Sequence, residues 1–328
     1  MEGLTTNQLY ARQEEAKIRI QTGKLRRLKP YLPLFLMTVP AVLYFFINNY
    51  LPMFGLVIAF KNIDFSHGSG WLLKSEWVGL LNFKFLFASN DAYIITRNTI
   101  LYNAFFIAIN LIFSVGIAIL LNDIRQRFMA RLYQTIIIFP FLISMVIVSY
   151  LVYSFLSIDA GFMNKTVLPM LGMEPISWYS EPKYWPYILT LVDIWKGSGF
   201  GCIIYLAAIV SIDHDYFEAA RIDGASKLRQ IFSITLPMIA PVIIMMTLLR
   251  IGRIFHSDFG LFYQVPMNSG AIYDTTNVID TYVYRALIQL GDIGMSSAAG
   301  VYQSIVGFLL ILLSNYVVRK INKDDALF

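Results

Sequence analysis

Charge is scarce in this chain, and that scarcity decides its class. Only 14% of the 328 residues are charged and 57% are hydrophobic, whereas roughly a quarter of the residues in a soluble globule are charged. Mean hydropathy is +0.60, so the composition excludes a soluble globule and describes a polytopic membrane protein. Cysteine is represented once, by Cys202 inside an apolar segment, which excludes an intramolecular disulfide. The three histidines, His67, His214 and His256, are too scattered to form a helical metal-binding pair. The pattern GxxxxGK[ST] is absent, so the chain cannot supply a P-loop for ATP. Gly197-Ser198-Gly199-Phe200-Gly201 has the outward form of a dinucleotide loop, but it follows no predicted strand and falls within an apolar run. Neither Ser198 nor Cys202 has a histidine at helical spacing, which leaves a hydrolytic enzyme without a nucleophile and base. Tandem repeats and low-complexity tracts are also missing.

Long apolar runs fill the space these absences leave. Spans are predicted at about 31–51, 98–122, 132–158, 184–212, 232–254 and 293–318, each long enough to cross a hydrocarbon core of about 30 Å. The first apolar run extends to Phe60, but Asn48, Asn49 and Pro52 mark the predicted exit, which sends Phe54 to Phe60 onto the outer face of the bundle. Residues 1–30 form a polar, basic tail without the apolar core of a signal peptide, and residues 31–328 form the transmembrane domain. The net charge of +5 reflects Lys and Arg clustered beside the apolar runs: in the tail, around Arg125, around Arg221, Lys227 and Arg229, and at Arg319 and Lys320. That is the positive-inside pattern, and it argues for a lipid membrane rather than nucleic acid as the partner of these charges, with both termini inside.

The most informative stretch is polar, and lies between the fourth and fifth predicted spans. In Glu218 to Pro241, EAARIDGASKLRQIFSITLPMIAP, Asp213 is positioned to cap a short helix that Gly224 ends, and Ser226 to cap a second. Pro237 and Pro241 are predicted in the first turns of the next helix, where a missing N–H costs least. This stretch resembles the EAA loop of binding-protein-dependent ABC importer permeases. Glu218, Ala219, Ala220, Asp223, Gly224, Ala225, Ile234, Leu236, Pro237 and Pro241 fall at the family's spacing, although Ile231 stands where phenylalanine is usual and Phe232 follows it. YLPMFGLVIAF at Tyr50 to Phe60, WVGLLNF at Trp77 to Phe83 and NVIDTYVYR at Asn277 to Arg285 are similar to the polysaccharide-type branch of sugar permeases.

The resemblance implies an all-α fold of six transmembrane helices with a cytoplasmic hairpin over 213–237. In it, Glu218, Ala219, Ala220, Asp223, Gly224 and Ala225 would couple the chain to an ATPase. It further implies a subunit that is not itself an enzyme and sits in the bacterial cytoplasmic membrane. Its partners would be a second similar permease, two cytoplasmic ATPase subunits that carry ATP and Mg, and an extracytoplasmic binding protein. No cofactor is expected on this chain. An ion- or proton-coupled secondary carrier is the competing expectation, because Asp193 and Lys196 lie inside a predicted span.

Lys196 falls about 18 Å into the fourth span, which Asp193, Gly197, Gly199 and Gly201 are expected to interrupt. An unpaired lysine there costs about 2.5–3.5 kcal/mol. It either faces a hydrated path or is neutralised by Asp193 three residues earlier. Arg250 and Arg253 are expected on one helix face, lining the path or snorkelling to headgroups. Trp195, Phe200, Tyr263 and Tyr282 offer rings suited to sugar faces, so Trp195, Lys196, Arg250, Arg253, Tyr263 and Tyr282 are the candidate path residues. A cluster of cations favours an oligosaccharide with acidic groups, whereas neutralisation of these cations by Asp193 and Asp258 favours a neutral one.

Overall fold

The computed structural model describes residues 31–84 and 90–321, so the basic tail over 1–30 and Lys323 lie outside the described residues. The chain divides into two units between Val57 and Ile58. In the first unit, α1 (Leu32–Phe45) contains no buried residue. Helical backbone does not stop at Asn48, Asn49 or Pro52 as predicted. It widens into a π turn at Phe46–Tyr50 and then tightens into a 3-10 segment, Leu51–Phe60, because the uncharged sequence continues to offer only intrasegment partners to the backbone.

The second unit opens with Ala59, which is fully buried and packs with Ala298 and Val301. A two-stranded antiparallel ribbon follows, β1 (Lys61–Asn62) and β2 (Glu76–Trp77), with Lys61 opposite Trp77. Lys61 is buried, and its ammonium donates to the carbonyls of Leu72 and Leu73 at 2.7 and 3.1 Å. The helix predicted from 98 begins eight residues earlier, as α2 (Asn90–Asn122), and one face of its early turns, Ala92, Ile95, Asn98 and Thr99, is buried by protein. Asn98, for example, donates to the carbonyls of Asp274 and Asn277 at 3.0 and 2.9 Å.

The third span is not the single helix expected over 132–158. It is two helices, α3 (Arg127–Leu142) and α4 (Met145–Leu156), meeting at a bend of 95°. Ile143 and Ser144 adopt extended backbone, and the Ser144 hydroxyl accepts from the Ile147 N–H to start α4. Among the described residues, five helices are long and apolar enough to cross a membrane, or six with this bent pair counted as one.

The fourth span corrects the sequence reading in the opposite direction: α5 (Trp185–Val210) is continuous through Gly197, Gly199 and Gly201. Those glycines are packing surfaces, not breaks. A Cβ on Gly199 would lie 2.1 Å from the Ile137 carbonyl oxygen, and one on Gly201 2.5 Å from the Ser114 hydroxyl. Small residues let α5 press against α3 and α2, the way helices associate where lipid offers no hydrophobic drive.

After α5 comes the hairpin. Its first helix is α6 (His214–Ile222), and its second continues without a break as α7 (Lys227–Ile251). Pro237 sits in the first turn of the regular α-helical part, Leu236–Ile251, as predicted, whereas Pro241 lies inside it. A π turn at Ile231–Thr235 precedes them, closed by the Leu236 N–H on the Ile231 carbonyl, and it rearranges the ladder where proline cannot donate. Because α7 ends at Ile251, Arg253 lies past the helix and does not share a helical face with Arg250 as predicted. Residues 255–290 are packed despite their polar side chains: Leu261, Phe262, Val265, Ile272, Val278 and Ile279 are buried. The short helix α8 (Ile279–Arg285) leads to α9 (Ile293–Ile321), which crosses α7 closely where Gly307 would place a Cβ 2.6 Å from the Gly252 carbonyl oxygen.

Candidate functional site

Two places in the bundle combine unusual backbone with chemistry-bearing side chains, and the hairpin is the first. The Asp213 carboxylate accepts from the Asp215 N–H at 3.1 Å, and the Ser226 hydroxyl from the Arg229 N–H at 3.4 Å, so both helices start on the predicted caps. Gly224 has φ +75°, the left-handed region. The Ala225 N–H bonds to the Ala220 carbonyl at 2.8 Å and the Gly224 N–H to the Arg221 carbonyl at 3.0 Å, the crossed pair of a Schellman ending. Nothing lies within 4 Å of a Cβ built on Gly224. Its requirement for glycine is therefore conformational, not steric.

The hairpin leaves apolar side chains uncovered: Ile222 is 87% exposed, Leu228 68% and Tyr216 55%. Glu218 is exposed and pairs with His214 one turn earlier at 3.8 Å. Lys227 forms an ion pair with Asp123 at the end of α2, which ties the second hairpin helix to a neighbouring span.

The second place is the bend between α3 and α4. Breaking a helix inside a membrane frees carbonyls that lipid cannot satisfy. Lys196 reaches across from α5 and donates to the carbonyls of Pro140, Phe141 and Ile143 at 3.3, 3.0 and 2.5 Å. A cation at a helix C-terminus is favoured both by hydrogen bonding and by the helix dipole. The expected pairing of Lys196 with Asp193 does not occur. Asp193 instead accepts from the Asn110 carboxamide on α2 at 2.5 Å, while the carboxamide oxygen of Asn110 is buried without a partner among the described residues. Lys196 thus holds the bend from α5.

The other predicted path residues do not converge on one spot. Arg250 is half-buried on α7 and lies in the electrostatic neighbourhood of Asp193 and Tyr205. Arg253 is exposed, and Trp195 is half-exposed beside Lys196. Tyr263 stacks on Phe259 with centroids 4.8 Å apart and meets Tyr284 edge-on at 5.1 Å. Tyr282 sits apart, lining an external recess of about 270 Å³ with Asp91, Tyr273 and Arg285. Arg285, which sequence reasoning left unassigned, stacks on Tyr273 at 4.2 Å and donates to Asn268 at 2.9 Å and to Asn277. Asn268 and Met267 both have positive φ, and Arg285 holds that turn. Asn110 was also missed, because one asparagine in an apolar run carries no signal without knowing that Asp193 faces it.

Comparison with known proteins fixes the class to which these features belong. Residues 110–323 match the family of binding-protein-dependent transport system inner membrane components, and the chain belongs to that family. It is a multi-pass membrane permease subunit of the ABC importer type. Nothing in the comparisons supports the ion-coupled carrier. Protein LplB of Bacillus subtilis (strain 168) is 36% identical over 89% of this chain and 90% of its own length. The polygalacturonan/rhamnogalacturonan transport system permease protein YteP of the same organism is 35% identical over 89% of each chain. Two solved structures of bacterial alginate transporters superpose with TM-scores of 0.82 and 0.81 at 30% identity. Both cover 91% of this chain, and they cover 99% and 98% of their own. The first is described as importing an acidic polysaccharide, and the second holds a periplasmic protein bound to an alginate pentasaccharide.

Proposed function

We propose that this chain forms half of the translocation path of an ATP-driven importer for an oligosaccharide bearing acidic groups. The observation that carries the reading is the hairpin, a rigid elbow at Gly224 whose Ile222, Leu228 and Tyr216 are uncovered. Exposed apolar side chains on a polar segment suit a protein partner better than water. Glu218, Ala219, Ala220, Asp223, Gly224 and Ala225 form the surface that enters a groove on that partner. The partners are two cytoplasmic ATPase subunits, which carry the ATP and Mg while this chain carries no cofactor, together with a second similar permease and an extracytoplasmic binding protein. The hairpin and both termini face the cytoplasm of a bacterial cell. ATP-driven closure of the ATPase pair displaces the hairpin, and α5 and α7, which flank it directly, transmit the displacement to the path.

The acidic cargo is supported by the relatives' named cargoes and by Arg250 and Arg253. Guanidinium groups bind carboxylates through paired, charge-assisted hydrogen bonds that an ammonium does not match. Uptake of matched acidic and neutral oligosaccharides into proteoliposomes tests the reading, on wild type and on Arg250→Gln and Arg253→Gln. Acidic uptake is expected to fall about tenfold in at least one variant, with neutral uptake unchanged. Equal uptake of both cargoes by all three proteins would remove the acidic cargo and leave the importer assignment standing. Loss of ATP dependence would remove the importer mechanism itself.

A further inference from the structure

Behind the hairpin lies a cavity of about 740 Å³ whose lining shares only Ala225 with the proposed coupling surface. Its inner wall is apolar, built from Ile119 at the end of α2, Ile209 and Ile212 at the end of α5, and Phe217 of the hairpin. Its rim is cationic, with Arg125 from the loop after α2, Arg221 from α6 and Lys227 from α7. One carboxylate, Asp123, lies on the rim and is occupied by Lys227. Among the described residues, neither Arg125 nor Arg221 forms an ion pair, and both side chains are exposed. Three cations against one carboxylate leave the rim positive, at the level where apolar span gives way to polar hairpin.

We propose that this cavity is a binding site for an anionic phospholipid, with the phosphate at Arg125 and Arg221 and an acyl chain on the isoleucine wall. An amphiphile is required because each half of the cavity selects a different half of the ligand. A free phosphate leaves Ile119, Ile209 and Ile212 without a partner, and a zwitterionic lipid brings its quaternary ammonium against the three rim cations, which a net-anionic headgroup does not. The lining also carries Asn122, His214, Gln230 and Thr235, which can bond to the glycerol backbone and esters of the lipid between its phosphate and its chain. The bound lipid bridges α6 to the loop after α2, and so joins the moving hairpin to a span that contacts it otherwise through Lys227 and Asp123. The inference depends on α2 and α5 spanning the bilayer, and not on the identity of the cargo.

Native mass spectrometry tests it on the full chain, purified in mild detergent with whichever subunits accompany it. The probe is an equal mixture of phosphatidylglycerol and phosphatidylcholine of the same chain length. Wild type is expected to retain one phosphatidylglycerol in preference to phosphatidylcholine. Arg125→Gln combined with Arg221→Gln should lower that occupancy about tenfold, and the paired Lys substitutions should lose much less. Both arginines are exposed, so the single Gln variants give the same test if the double variant inserts poorly. Equal retention of the two lipids, or retention indifferent to both arginines, would overturn the site. Displacement of phosphatidylglycerol by millimolar inorganic phosphate would reassign it to a soluble anion.

Discussion

The hairpin and the bend between α3 and α4 both interrupt the apolar bundle with non-helical backbone, but they are held in opposite ways. Every bond that shapes the hairpin elbow is local: Asp213 caps two residues on, Ser226 three, and the Gly224 ending closes within six. The bend is held from a distance, by an ammonium more than fifty residues along the chain. The hairpin therefore has a shape of its own that it presents outward, while the bend exists only inside the packed bundle. A conformational fault should thus damage function in the first and stability in the second.

The largest expected effect tests the local side of that contrast. Gly224→Val forces a β-branched residue to φ +75° and should abolish transport and substrate-stimulated ATP hydrolysis, while the protein still inserts in the membrane at near wild-type levels. Gly224→Asn, which tolerates the left-handed region, should retain much of the activity, and full transport by the valine variant would refute the coupling role. Next comes the distant side. Lys196→Met strips the donor from three carbonyls at the bend and should cost about 3 kcal/mol, read as a lower Tm in detergent, with Lys196→Arg recovering part of it. An unchanged Tm would mean that the bend holds itself.

Gly199→Ala should cost about 2 kcal/mol, because its Cβ meets the backbone of Ile137, which cannot rotate away. Gly224→Ala meets no atom at all, so comparing the two alanines by Tm separates packing from backbone conformation. The smallest effect belongs to Asp123→Asn, which removes an exposed ion pair and should change stability by less than about 1 kcal/mol. A larger loss would show that the hairpin relies on α2 for its shape, and would blur the contrast.

That contrast also explains which features could be read from the sequence. Caps and the glycine ending are fixed by residues within one turn of each other, so Asp213, Gly224 and Ser226 announced the hairpin directly. Length and hydropathy placed the apolar runs for the same reason. The bend was missed because its local signals, Pro140 and the Ser144 cap, are single residues in an apolar run, and its support comes from a lysine in another span. Gly197, Gly199 and Gly201 were misread as an interruption because a glycine run that loosens a helix and one that lets a helix approach its neighbour look alike until the neighbour is known. The packing of the segment from Phe255 to Leu290 is masked in the sequence by its polar residues. Asn277, Asp280 and Arg285 are polar, yet they bond to one another, to α2 and to α9, and so occupy a protein interior.

The self-contained shape of the hairpin has an evolutionary corollary. Since its elbow is set by Asp213, Gly224 and Ser226, substitutions along the faces of α2, α5 and α9 leave the shape of the elbow unchanged. Under the proposed function, selection can then retune the spans without altering the surface that the hairpin offers to its partner.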